Sequence, residues 1–172
     1  KSKNNMGYDL ILSSDFEEIE KIKREYFNIL IIGGSGGAKI FSDILPKSFF
    51  NLRSELKRNI YITQQCRGDV LDKTFTQYKK FNLNIILKVF FDDIDQKIQD
   101  SHLVIARSGS STIFELAAAK KPMILVPFAN SADNHQQKNA DRIVKNGGGI
   151  VINEKDFKIS NLTDIIEKLI DN

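Results

Sequence analysis

Three short stretches hold the residues whose types and spacing could do chemistry. In the first, the apolar run Ile29-Leu30-Ile31-Ile32 passes directly into Gly33-Gly34-Ser35-Gly36-Gly37-Ala38. A buried strand that turns through glycines into a helix gathers backbone N–H groups and the positive end of the helix dipole at one point, where an anion such as a diphosphate can be held. A tight strand-to-helix turn without a ligand is the simpler use of the same residues. The pattern is neither a dinucleotide fingerprint nor a P-loop: Lys39 stands where GxGxxG needs its third glycine, and GxxxxGK[ST] occurs nowhere. A nicotinamide dehydrogenase and a P-loop hydrolase are thereby disfavoured.

The second stretch is Arg107-Ser108-Gly109-Ser110-Ser111-Thr112, followed by Glu115. Hydroxyls and a glycine crowded at a helix start supply O–H and N–H donors at the positive dipole end, a second anion cradle. Glu115 allows two uses. With Thr112 as N-cap it completes a capping box; turned to a ligand, its carboxylate accepts both vicinal hydroxyls of a ribose. The third stretch, Asp133-Asn134-His135-Gln136-Gln137-Lys138-Asn139-Ala140, puts amides and an imidazole in the first turns of a helix. Such groups read sugar hydroxyls by paired donor and acceptor bonds, or they form a solvated helix start.

The elements that must position these residues alternate along the chain. Short β-branched runs at residues 28–32, 59–63, 84–89, 102–106, 122–126 and 149–152 are separated by segments of helical spacing. The clearest helices span about 112–120, about 134–145 (ending at Gly147-Gly148-Gly149) and the C-terminal stretch. In the last, Ser160 is the expected N-cap and Leu162, Ile165, Ile166, Leu169 and Ile170 share one face. This pattern predicts an α/β fold, a Rossmann-like, mostly parallel sheet with helices on both faces. All three stretches then lie where strands end and helices begin, at the carboxyl edge where such sheets bind ligands. Two anion cradles, a diol-seeking carboxylate and a hydroxyl-reading helix together describe a site for a nucleotide diphosphate-sugar.

Composition agrees with one soluble core. The 172 residues are 41% hydrophobic and 27% charged, and a chain of this length buries roughly 70% of its unfolded surface on folding. The formal net charge of +3, with signs interspersed, is too weak to predict a nucleic-acid partner. The single cysteine, Cys66, excludes an internal disulfide and fits a reducing compartment, and with two histidines it makes a structural metal site improbable. No run reaches the ~20 apolar residues that span a bilayer. Position 1 is lysine, consistent with a processed chain or an excised fragment. Residues 1–27 differ in character. Phe16, Ile19, Ile22, Tyr26 and Phe27 at helical spacing predict an amphipathic helix leading into the first strand, either packed on this domain or serving as an inter-domain connector.

The ordered set Gly33-Gly-Ser-x-Gly-Ala38, Arg107-Ser-Gly-x-x-Thr-x-x-Glu115-Leu-x-Ala and Asp133-Asn-His-Gln-x-x-Asn-Ala140 resembles the motifs of the MurG family, the bacterial N-acetylglucosaminyltransferases that make lipid II. The resemblance covers about residues 28–172 and corresponds to the C-terminal, donor-binding half of a two-domain GT-B enzyme. It implies that the turn of Gly34, Ser35, Gly36 and Gly37 and the segment Arg107, Ser108, Gly109, Ser110, Ser111 and Thr112 lie at the diphosphate, with Glu115 on the ribose. Gln136 and Asn139, with His135 beside them, would read the N-acetylglucosamine hydroxyls, and Phe91 would sit where the family's backbone grips uracil.

The implied activity is inverting transfer of N-acetylglucosamine from UDP-N-acetylglucosamine to a lipid-linked N-acetylmuramyl acceptor, with no cofactor and no metal. No residue of this chain is expected to be catalytic, because the acceptor loops and the base belong to an N-terminal half; the chain alone is expected to be inactive. The resemblance further implies a cytoplasmic protein whose full-length form is peripheral on the inner face of the plasma membrane. Two positions depart from the family: Gly36 replaces a usual glutamine, and Gln65-Cys66 stand where a glycine is usual. Other readings are the soluble subunit of the dolichol-pathway transferase and a non-catalytic nucleotide-sugar-binding module; the Gly-Gly-Ser-x-Gly-Ala form favours the bacterial family.

Overall fold

The computed structural model describes residues 10–11, 26–34 and 37–171. Seven strands, β1 (Leu10–Ile11), β2 (Phe27–Ile32), β3 (Ile60–Gln65), β4 (Ile85–Lys88), β5 (Leu103–Ala106), β6 (Met123–Leu125) and β7 (Ile150–Val151), form one sheet in the order β1-β4-β3-β2-β5-β6-β7. β2 through β7 run parallel. β1 alone is antiparallel, with Leu10 opposite Leu87 and Ile11 opposite Ile86. The expected Rossmann-like architecture is therefore the one found, with an edge strand added from a stretch expected only to carry a helix and a linker.

β2 lies near the middle of the sheet, and its period-two alternation feeds two cores. Ile29 and Ile31 face the larger one, with Phe41, Leu45 and Phe49 of α1 (Lys39–Phe50), Leu71 and Tyr78 of α3 (Leu71–Lys80), and Leu162 and Ile166 of α7 (Ile159–Ile170). Leu30 and Ile32 face the other, with Ile98 of α4 (Ile94–Asp100), Ile113 and Leu116 of α5 (Ser110–Ala118), and Ala140 of α6 (His135–Lys145). A six-residue helix, α2 (Ser54–Asn59), buries no side chain. Because each parallel crossover carries its helix over the sheet, every strand-to-helix turn emerges at the carboxyl edge.

Several local expectations shift. Tyr26 is a bend and Phe27 opens β2, where its ring stacks on His102 at 5.2 Å. Phe27 thus belongs to the sheet and Tyr26 to the bend before it rather than to the predicted helix, whose Phe16, Ile19 and Ile22 lie outside the described residues. α7 begins at Ile159, not after Ser160: the Leu162 amide donates to the Lys158 carbonyl at 3.1 Å, making Lys158 the cap. Burial of Leu162 and Ile166 sets this register, and no side-chain cap contributes. α5 likewise begins at Ser110, two residues earlier than the hydrophobic spacing predicts, with Gly109 as cap.

Candidate functional site

At the carboxyl edge the turns after β2, β5 and β6 wall an open cleft of about 770 Å³, within the size range of small-molecule sites. The glycine turn is held by backbone demands rather than composition. A Cβ at Gly33 would stand 2.2 Å from the Ala38 amide nitrogen, and Gly37 has φ +65° with Arg67 only 2.9 Å from where its Cβ would be. No side chain fits at either place without moving backbone. Behind the turn, a buried polar chain ties α1 to β3: the Tyr78 hydroxyl donates to Gln64 Oε1 at 2.7 Å, the Gln64 amide donates to Ser42 Oγ at 3.2 Å, and Ser42 Oγ lies 3.3 Å from Cys66 Sγ. Cys66 is buried and its thiol pKa is pushed up by that burial, which makes it a structural thiol rather than a reactive one.

α5 starts opposite this turn. Its first intrahelical bond is Ile113 N–H to the Gly109 carbonyl, 3.0 Å, so the amides of Ser110, Ser111 and Thr112 have no acceptor within the helix and lie at its positive end. Lys39, Ile40, Gly109, Ser111 and Thr112 all line the cleft, as do Gly34, Gly37, Arg107 and Gln136. Two cations at the rim are neutralised locally. Arg67 donates twice to Asp69 at 2.9 Å, holding that carboxyl below the usual range, and Arg107 pairs with Glu154. Lys39, exposed at the start of α1, lines the cleft without a close ion pair to any described residue, its charge acting on Asp69 from beyond ion-pair distance.

The sequence-expected residues divide into groups. Gly34, Gly37, Arg107, Gly109, Ser111, Thr112 and Gln136 meet in the cleft. Ser35 and Gly36 lie outside the described residues. Ser108 is fully buried and donates its hydroxyl to the Gln136 carbonyl at 2.8 Å, while Asn139 donates its amide to the Ser108 carbonyl at 3.3 Å; both brace α6 against the β5 turn. Ser110 and His135 are exposed beside the cleft, and the His135 Nδ1–H donates to the Ala132 carbonyl at 2.6 Å. Phe91 is buried with Tyr61 and Ile86 away from the cleft, although its loop follows β4 at the same edge.

Glu115 is the sixth residue of α5 and exposed. The capping box therefore does not form: with α5 starting at Ser110, Thr112 occupies the third helical position and cannot be the cap. Lys39, Arg67, Phe128 and Glu154 line the cleft without having been singled out from the sequence. Each is a lone residue whose place is decided by long-range packing, and only Phe128, in the loop between β6 and the third stretch, lies near a local signal.

Comparison with known proteins gives a consistent picture. Residues 28–172 match the family model of the glycosyltransferase family 28 C-terminal domain. The chain is 41% identical over 143 residues, 83% of its length, to a protein of Zymomonas mobilis named UDP-N-acetylglucosamine--N-acetylmuramyl-(pentapeptide) pyrophosphoryl-undecaprenol N-acetylglucosamine transferase. It is 32% identical over 170 residues, 96% of its length, to the same-named protein of Wolbachia pipientis subsp. Culex pipiens. The crystal structure of Acinetobacter baumannii MurG superposes with a TM-score of 0.77 at 27% identity over 88% of the chain. The chain spans 37% and 50% of the two named transferases and 44% of that MurG chain.

Proposed function

The chain belongs to the glycosyltransferase family 28 C-terminal domain family, and from that premise we propose that it is the donor-binding half of an inverting N-acetylglucosaminyltransferase that converts lipid I to lipid II. The observation that carries this reading is the meeting, across one cleft that Lys39 also lines, of the glycine turn and the start of α5, whose cap Gly109 supplies no side-chain acceptor. The diphosphate of UDP-N-acetylglucosamine lies against the amides of Ser110 to Thr112 and the glycine turn. Glu115 takes the ribose hydroxyls, the Phe91 loop takes uracil, and Gln136, with Asn139 and His135 near it, takes the sugar.

An acceptor hydroxyl of the lipid-linked N-acetylmuramyl group attacks the anomeric carbon from the face opposite UDP. A new carbon–oxygen bond forms as the bond to the diphosphate breaks, the bonding electrons leave with UDP, and the hydroxyl proton passes to a base outside this chain. As negative charge grows on the departing diphosphate, the helix amides, the hydroxyls of Ser111 and Thr112 and the Lys39 ammonium stabilise it. The acceptor-binding half lies in the part of the relatives that this chain does not span. Among the described residues no helix is long and apolar enough to cross a membrane, in keeping with an enzyme that works at the cytoplasmic membrane face without spanning it. Titration calorimetry tests the donor assignment: UDP and UDP-N-acetylglucosamine are expected to bind and ADP to bind more weakly, whereas equal or tighter binding of ADP overturns it.

A further inference from the structure

One ion pair in the cleft is tied to more backbone than a phosphate ligand would need. Arg107 follows β5 directly, and its guanidinium lies 5.4 Å from the Phe41 ring centre and 5.3 Å from that of Phe128. Nη1 donates to the Val126 and Pro127 carbonyls at 3.1 and 3.3 Å, and Nη2 donates to Glu154 Oε1. The second carboxylate oxygen of Glu154 accepts the Ala129 amide at 3.2 Å, while Gln136 Oε1 accepts the Phe128 amide at 3.0 Å. Each residue from Val126 to Ala129 therefore gives one backbone polar group to a side chain of the cleft. The pair is largely enclosed, with side chains 12% and 24% exposed. An enclosed pair contributes little net stability over apolar packing, so its geometry is the property that distinguishes it. What it holds still is a phenylalanine that remains 43% exposed on the cleft wall.

We propose that Glu154 is a positioning residue for the sugar end of the donor. Its carboxylate keeps the Arg107 guanidinium turned into the β6–α6 turn, and through Arg107 and the Ala129 amide it fixes the Phe128 ring and the Gln136 side chain in the orientation that receives a hexose. A rigid aromatic face packs against the C–H face of a sugar ring, and a Gln136 carboxamide whose oxygen is already engaged presents its N–H donors to hydroxyls. The diphosphate is held by a different set, the α5 amides, the glycine turn and Lys39. Glu154 thus bears on selection of UDP-hexose over UDP and little on UDP itself.

This inference rests on the donor-site reading above, and calorimetry on the 172-residue chain separates the two. In Glu154→Ala the ratio of the UDP-N-acetylglucosamine dissociation constant to that of UDP is expected to rise about tenfold, in line with the loss of one or two charge-assisted hydrogen bonds that order the wall. Glu154→Gln keeps an acceptor for Arg107 and the same volume, so a smaller rise is expected, and it serves where the alanine variant does not fold. A carboxylate that only stabilised the fold would lower the melting temperature and leave the ratio in the folded protein unchanged. An unchanged ratio in both variants overturns the proposal, and so does a rise in Glu154→Gln equal to that in Glu154→Ala. Failure of the unaltered chain to bind either ligand overturns the donor-site reading and this inference with it.

Discussion

Glu115 and Gly33 show how differently single residues depend on their surroundings. Gly33 is required by its own backbone, since any Cβ meets the Ala38 amide. Glu115 carries no such demand: it is exposed on the second turn of α5, outside the residues that line the cleft, and its position removes the capping explanation while the ribose role stands as a proposal to be tested. Glu115→Ala is accordingly expected to leave the unfolding free energy within about 0.5 kcal/mol of the original, as for other surface substitutions. The same change is expected to weaken UDP binding by about 1.5–3 kcal/mol, the range for hydrogen bonds to a charged group. Glu115→Gln tests the charge with the shape retained. UDP affinity equal to the original in both variants excludes the ribose role. The motif made Glu115 conspicuous, whereas Glu154, which does line the cleft, has no local pattern around it; its partner Arg107 is 47 residues away.

Helix starts expose the limit of periodicity. The apolar spacing of α7 locates its buried face correctly, with Leu162 and Ile166 fully buried, but where a helix begins depends on which backbone carbonyl the first buried turn can reach. Here that carbonyl is Lys158's, so Ser160 sits inside the helix. Two substitutions separate these contributions in a denaturant melt. Leu162→Ala should cost about 2–5 kcal/mol, the transfer term plus the cavity left behind. Ser160→Ala should cost less than about 0.5 kcal/mol, against the 0.5–2 kcal/mol of a true N-cap. A loss for Ser160→Ala near that of a cap would show that the sequence-level assignment, and not Lys158, describes the helix in solution.

The molecule as a whole buries Tyr61 and Tyr78 in its interior, and this has a consequence for alkaline stability. Tyr61 lies in β3 with its phenol pKa pushed up to about 12 by burial, and burial raises that of Tyr78 as well. In the unfolded chain a tyrosine ionises near pH 10. A group whose folded pKa is raised contributes its full stability below the unfolded pKa and loses it as pH climbs toward the folded one. Stability is therefore expected to be flat with respect to these groups below about pH 10 and to fall between pH 10 and 12. Tyr61→Phe should remove about 1–3 kcal/mol of that loss, while Tyr78→Phe leaves Gln64 Oε1 without its donor and should destabilise already at neutral pH. Urea midpoints measured from pH 8 to 11.5 check both; an equally steep alkaline decline in Tyr61→Phe contradicts the burial argument.

At this scale the division between sequence and tertiary structure is plain. Strand positions, the parallel α/β class, and the three strand-to-helix turns are written locally, because β-branched runs, helical spacing and glycine or hydroxyl clusters each constrain the backbone within a few residues. Chain order then brings those turns to one edge through right-handed crossovers. What the sequence alone left undecided is which side chains of those turns face the cleft and which brace it. Ser108 and Asn139 brace the helices; Arg107 lines the cleft but is occupied by the β6–α6 turn, and Lys39, Phe128 and Glu154 line the wall. These assignments depend on contacts between residues 19 to 47 positions apart, and only the packed sheet brings such partners within hydrogen-bond distance.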